Sequence, residues 1–91
     1  MLQAPLTSQE QNALDCFKKN LQLLLADNLL SIHLFGSRAR GEGTAESDLD
    51  VLLVLRKKDR ALCRQIIAEA LEIDLAYGVN LSPTILSEIE Y

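Results

Sequence analysis

Residues 36–50 read Gly36-Ser37-Arg38-Ala39-Arg40-Gly41-Glu42-Gly43-Thr44-Ala45-Glu46-Ser47-Asp48-Leu49-Asp50, and the chain then runs straight into Val51-Leu52-Leu53-Val54-Leu55. The second part decides the fold. Seven residues from Leu49 to Leu55, rich in valine and leucine, are too short for a helix and suit a strand with its apolar side chains buried. The first part has three glycines and no apolar period, so it is a loop, with room for one helical turn at 37–40. Asp48 and Asp50 stand two apart where the strand opens. A period of two puts both carboxylates on one face, with Cα atoms roughly 6.5 Å apart. Two like charges that close beside an apolar strand are costly unless a cation sits between them. Oxygen donors of this kind suit Mg²⁺ or Mn²⁺.

The residues before the loop supply the other half of the argument. Residues 31–35 read as a short strand, and Gly36 lets the chain turn tightly at its end. Backbone amides and the Ser37 hydroxyl then face phosphate oxygens, with Arg38 and Arg40 flanking the turn. Phosphate donors and a metal platform at one end of a sheet are what phosphoryl transfer needs, because its catalysis is mostly positioning and charge neutralisation.

Outward from this segment the pattern is simple. Thr7 or Ser8 caps a helix over about 8–28, with Gln11 three after Ser8 as in a capping box, and Leu14, Phe17, Leu21, Leu24 and Leu25 at helical spacing. Residues 56–59 form a charged turn. Leu62, Ile66, Ala70, Ile73 and Tyr77 predict a second helix over 60–77, with Gly78 just past its end. Residues 80–87 form a last strand, placed at an edge or bulge by Pro83. The expected architecture is α/β (α+β): a small mixed sheet of about three strands with two main helices on one face, forming one domain over 1–91.

Composition bounds the function. The 91 residues carry 13 acids and nine bases, a formal charge of -4, and 48 % of them are hydrophobic. A globular chain of this length buries only roughly 60–65 % of its unfolded surface, so its core is thin. General nucleic-acid binding is not expected, because phosphate contacts need clustered Lys and Arg. No base follows Arg64, whereas Glu69, Glu72, Asp74, Glu88 and Glu90 do. Cys16 and Cys63 lie in separate amphipathic segments and read as reduced, half-buried residues of a cytoplasmic protein. The start of the chain lacks a signal-peptide pattern, and the longest apolar run, 51–55, is too short to span a membrane. His33, the one histidine, reads as a strand-surface or partly buried residue rather than a ligand or base.

The 36–50 segment resembles the signature of the DNA-polymerase-beta-like nucleotidyltransferase superfamily, in its minimal nucleotidyltransferase branch. Gly36 and Ser37 match the Gly-Ser element, Asp48 and Asp50 match the first two metal-binding carboxylates, and Ser37, Ala39, Arg40 and Gly41 follow the S-x-A-R-G pattern of the branch. The resemblance implies transfer of a nucleoside monophosphate, AMP from ATP, to a hydroxyl of a protein or small molecule. It implies two Mg²⁺ ions (or Mn²⁺) held by Asp48 and Asp50, with Gly36, Ser37 and an exposed Arg38 at the triphosphate and Arg40 bracing the loop through an acid. It also implies a third carboxylate from the next core strand, where this chain has Pro83 or Thr84 and no acid. A rival alignment makes 72–75 that strand and Asp74 the third metal ligand. The alternative to full catalysis is a nucleotide-binding, antitoxin-like module that binds and regulates a HEPN-domain partner. The thin core and an exposed edge strand also lead to the expectation of a homodimer.

Overall fold

A computed structural model describes residues 6–36, 38 and 48–91. The elements run α1 (Ser8–Leu25), a 3₁₀ turn (Ala26–Asn28), β1 (Leu29–Phe35), β2 (Leu49–Leu55), α2 (Arg60–Tyr77) and β3 (Leu81–Ser87). The expectations for Ser37, for 39–47 and for the arm at 1–5 lie outside the described residues.

The sheet order is β1-β2-β3, with β1 antiparallel and β3 parallel to β2. A parallel neighbour cannot be reached by a tight turn, and α2 supplies the crossover. Along β2, Leu49, Val51 and Leu53 are buried while Asp50 and Leu52 are half-exposed. That alternation marks a sheet with one covered face. The covered face meets Phe17 and Leu21 of α1 and Ile66, Ala70 and Ile73 of α2 in one apolar cluster. The architecture is therefore the expected α+β arrangement of two helices and a three-stranded mixed sheet.

The local differences from expectation have physical reasons. The cap of α1 is Thr7, and its capping-box partner is Glu10 rather than Gln11: Thr7 Oγ1 accepts from Glu10 N at 3.0 Å and Glu10 Oε1 accepts from Thr7 N at 2.9 Å. The first helix stops at Leu25, where the chain tightens into the 3₁₀ turn before β1. The second helix keeps its expected span. Asp59 caps it by accepting from Leu62 N at 2.8 Å, and Gly78 closes it at φ +67°, a left-handed conformation that glycine adopts without strain.

Strand β3 lies at the sheet edge, as Pro83 requires. Leu49 N donates to Asn80 O, and Glu88 N donates to Leu55 O, so the even-numbered residues of β3 bond to β2 and the odd-numbered ones face outward. Pro83, which has no N–H, falls on the outward side. Its neighbours there are covered: Leu81 N donates to Asp74 Oδ1 at 2.8 Å and Ser87 N to Glu90 Oε1 at 2.8 Å. Lys58 Nζ reaches Ile85 O at 3.3 Å. These caps blunt the β3 edge against pairing with another strand.

Cys16 and Cys63 are half-buried and form no disulfide. His33 is exposed on β1 opposite Leu52. No described helix is long and apolar enough to cross a membrane.

Candidate active site

The end of β1 and the starts of β2 and β3 meet at one end of the sheet, because β1 enters antiparallel and β3 parallel to β2. Asp48 is exposed just before β2, and Asp50 is half-buried within it. Asp50 is paired on one side with Phe35 and on the other with Ser82. The next residue after Phe35 is Gly36, at φ +80°. A Cβ built there would overlap Asp50 Oδ2 and lie 3.1 Å from Asp50 Cγ. The Asp50 carboxylate thus fills the space that any other residue at 36 would need. Gly36, at the end of β1, and the start of β2 are packed against each other.

Arg38 is not exposed. Its side chain is 2 % exposed and makes a two-pronged ion pair with Glu10, Nη1 to Oε2 at 2.7 Å and Nη2 to Oε1 at 2.6 Å. The reason for the difference is Glu10, an acid in the first turn of α1 that the apolar spacing of the helix did not single out. Arg38 braces the chain through an acid, while the similar role expected of Arg40 lies outside the described residues. The Arg38 guanidinium holds the Glu10 carboxyl below the usual carboxylate range, helped by the Thr7 amide and hydroxyl and opposed by burial. Glu10 in turn raises the Arg38 guanidinium above its ordinary value. A signal was available: Glu10 lies three after Thr7, the spacing of a capping box.

Asp74 lies in α2, so the alignment that made 72–75 a strand is overturned. The Asp74 backbone carbonyl accepts from Gly78 N at 2.8 Å, ending the helix, and its carboxylate accepts from Leu81 N, starting β3. Burial pushes its carboxyl above the ordinary value, the Leu81 amide opposes this, and the charge of Asp48 adds to the rise. Asp74 is therefore within electrostatic reach of Asp48 while already committed to the strand. Replacing it with alanine orphans the Leu81 N–H, at a cost of about 1–3 kcal/mol. Asp74→Asn keeps an acceptor oxygen and should lose less than half as much. Urea denaturation of the two variants at pH 7 checks this; equal losses would contradict it.

The position beside the aspartates is not Pro83 or Thr84. Ser82 pairs with Asp50, and the Leu49 N to Asn80 O bond, 2.8 Å long, extends the register so that Asn80 stands beside Asp48. Asn80-Leu81-Ser82 thus mirrors Asp48-Leu49-Asp50, with a buried leucine at the centre of each. The sequence contains this mirror, but the strand register is what makes Leu81 the counterpart of Leu49. Both flanking residues on β3 are neutral. Among the described residues no cluster of three or more His, Cys, Asp or Glu side chains is placed to hold a metal. The donor set fits a hard divalent cation that takes Asp48 and Asp50 and completes its shell with water or phosphate.

A cavity of about 210 Å³ adjoins this end of the sheet, lined by Thr7, Gln9, Glu10, Leu49, Gly78, Val79 and Asn80. Gln9 Nε2 donates to Tyr77 O, which ties the start of α1 to the end of α2 along its wall.

Comparison with known proteins agrees with this geometry. Residues 10–90 match the family model described as "Nucleotidyltransferase domain". Two relatives from Methanocaldococcus jannaschii each carry the name "Putative protein adenylyltransferase". One is 40 % identical over 70 residues, which covers 76 % of this chain and 71 % of the relative. The other is 38 % identical over 81 residues, which covers 82 % of this chain and 53 % of the relative, about half its length. No solved structure matches. With the family model spanning residues 10–90 and a relative 40 % identical over 76 % of the chain, this chain belongs to the nucleotidyltransferase domain family.

Proposed function

We propose that this domain, taken as one unit over 1–91, transfers AMP from ATP to a hydroxyl group of a protein. The observation that carries this reading is the packing of the Asp50 carboxylate into the space left by Gly36. It joins the phosphate turn to the metal platform, which two unrelated structural features would not need. The names of the two relatives support a protein as the acceptor.

In this reading Asp48 and Asp50 hold the metal, Mg²⁺ or Mn²⁺, and Gly36 and Ser37 hold the triphosphate. When bound, the metal neutralises the triphosphate and acidifies the acceptor hydroxyl. The acceptor oxygen bonds to the α-phosphorus. The bond from that phosphorus to the bridging oxygen breaks, and pyrophosphate leaves with the electron pair. The hydroxyl proton passes to solvent, because no described carboxylate is free to take it from the β3 side. Asp74, within electrostatic reach of Asp48, would serve the metal only through its second oxygen.

A second reading draws on Asn80. A neutral residue beside Asp48 leaves the acceptor side short of a ligand and favours a slow enzyme or a nucleotide-binding module of the antitoxin type. The partner would be a HEPN-domain protein, or a second copy in a homodimer, in a cytoplasmic setting. Ile67, Leu71 and Leu75 support a docking role: they stand four apart along α2 and are 50 %, 57 % and 87 % exposed.

Thermal unfolding with and without Mg²⁺ and ATP tests the first reading. The midpoint should rise with both present, and Asp48→Asn and Asp50→Asn should each abolish the rise. An unchanged wild-type midpoint would sink the nucleotide site. Labelled ATP with the candidate partner then separates the readings. Transfer of label supports the enzyme, and a tight complex without label supports the module. Asn80→Asp should raise transfer about tenfold or more if the missing carboxylate limits the rate; no gain would count against the second reading.

A further inference from the structure

The Glu10–Arg38 pair joins an element outside every motif of the site to the turn at its centre. Glu10 is 7 % exposed and Arg38 5 %. The Glu10 carboxylate is fixed from two sides, by the Thr7 amide of the capping box and by both terminal nitrogens of Arg38. Arg38 follows Gly36 by two residues. Gly36 in turn admits the Asp50 carboxylate. Helix start, turn and metal-binding strand therefore form one connected set of close contacts.

Stability alone does not account for the pair. A buried ion pair is a weak stabiliser compared with apolar residues of the same volume. Among the described residues, Arg38 Nε is also left buried without a hydrogen-bond partner, a cost that an apolar pair would avoid. What the pair supplies is direction. A planar guanidinium gripping both oxygens of one carboxylate sets both distance and orientation, which a lysine does not do.

We infer that Glu10 and Arg38 are positioning residues for the nucleotide site: the pair anchors Arg38, two residues past Gly36, so that Gly36 stays where the Asp50 carboxylate seats against it. Both are buried and spend their charges on each other. The inference rests on reading 36–50 as that site.

The test uses Arg38→Lys, Glu10→Gln and the double variant, with Leu21→Ala as a core control away from the turn. Calorimetry measures ATP binding in Mg²⁺, and amide hydrogen exchange measures local opening. Each single variant should weaken ATP binding about tenfold or more, and the double variant should be within roughly threefold of the weaker single, because the two act as one unit. Exchange at Phe35, Gly36 and Asp50 should speed about tenfold while Leu53 and Leu55 change little. Leu21→Ala should lower the melting temperature yet leave ATP affinity within roughly threefold. The inference is overturned if affinity and exchange simply follow melting temperature, as in the control. If the wild type binds no ATP, the proposed function fails, and exchange still decides the positioning role. Acceleration confined to Gly36 and its neighbours supports it, and uniform acceleration overturns it.

Discussion

Glu10→Ala is expected to destabilise the domain by about 3–5 kcal/mol, because it leaves the Arg38 guanidinium buried without a counter-charge. The same change opens the capping box of α1, since Thr7 N loses its acceptor. A domain of this size has a total stability on the order of 5–13 kcal/mol, so the variant should sit near the edge of folding at 37 °C. The effect carries a pH signature. The folded-state value of Glu10 lies below its ordinary one, with the Arg38 hydrogen bonds the main cause. The folded state therefore binds fewer protons than the unfolded state in that range. The contribution of Glu10 is fully present above its ordinary value and is lost as pH falls through the depressed one. Urea denaturation of wild type and Glu10→Gln at pH 7 and in acid measures it. The gap between the two should be widest at pH 7 and close in acid. A gap that does not depend on pH would show that Glu10 acts through packing alone.

Gly36→Ala is the second large effect, and it should fall on the site more than on the fold. An alanine at φ +80° costs about 1–2 kcal/mol from backbone strain. Its Cβ would also overlap Asp50 Oδ2, so the carboxylate must swing away. The chain has a cheap escape, because the obstacle is the end of a side chain. The expected outcome is a folded protein, a few degrees less stable, whose melting temperature no longer responds to Mg²⁺ and ATP. A variant that keeps a normal ATP response would show that the contact between Gly36 and Asp50 is incidental to binding.

These two residues also measure how much was legible in sequence. Gly36 stood out because strand, glycine and paired aspartates occur in a fixed order along one stretch. Glu10 did not. Its partner is 28 residues away, and an acid at a helix start has an ordinary local explanation. Asp74 lay between. Helical spacing placed it near the end of α2, an unfavourable place for a negative charge, but nothing local says that its carboxylate takes the Leu81 amide. Asn80 shows a different limit. Its place beside Asp48 depends on the register of β3 against β2, and a shift of one residue would exchange which side chains face the site.

The sequence by itself determined the elements and their order, because helix and strand periods, caps and the turn glycines are local properties of the chain. It determined the paired aspartates for the same reason. The tertiary structure decided which groups are spent on holding the fold and which remain for chemistry. Arg38 moved from the expected phosphate contact to a buried pair, Asp74 to a helix-to-strand tie, and the β3 partners of the aspartates proved to be Asn80 and Ser82. Each of these depends on contacts between residues distant in the chain. Burial and strand register, which set those contacts, belong to the folded whole.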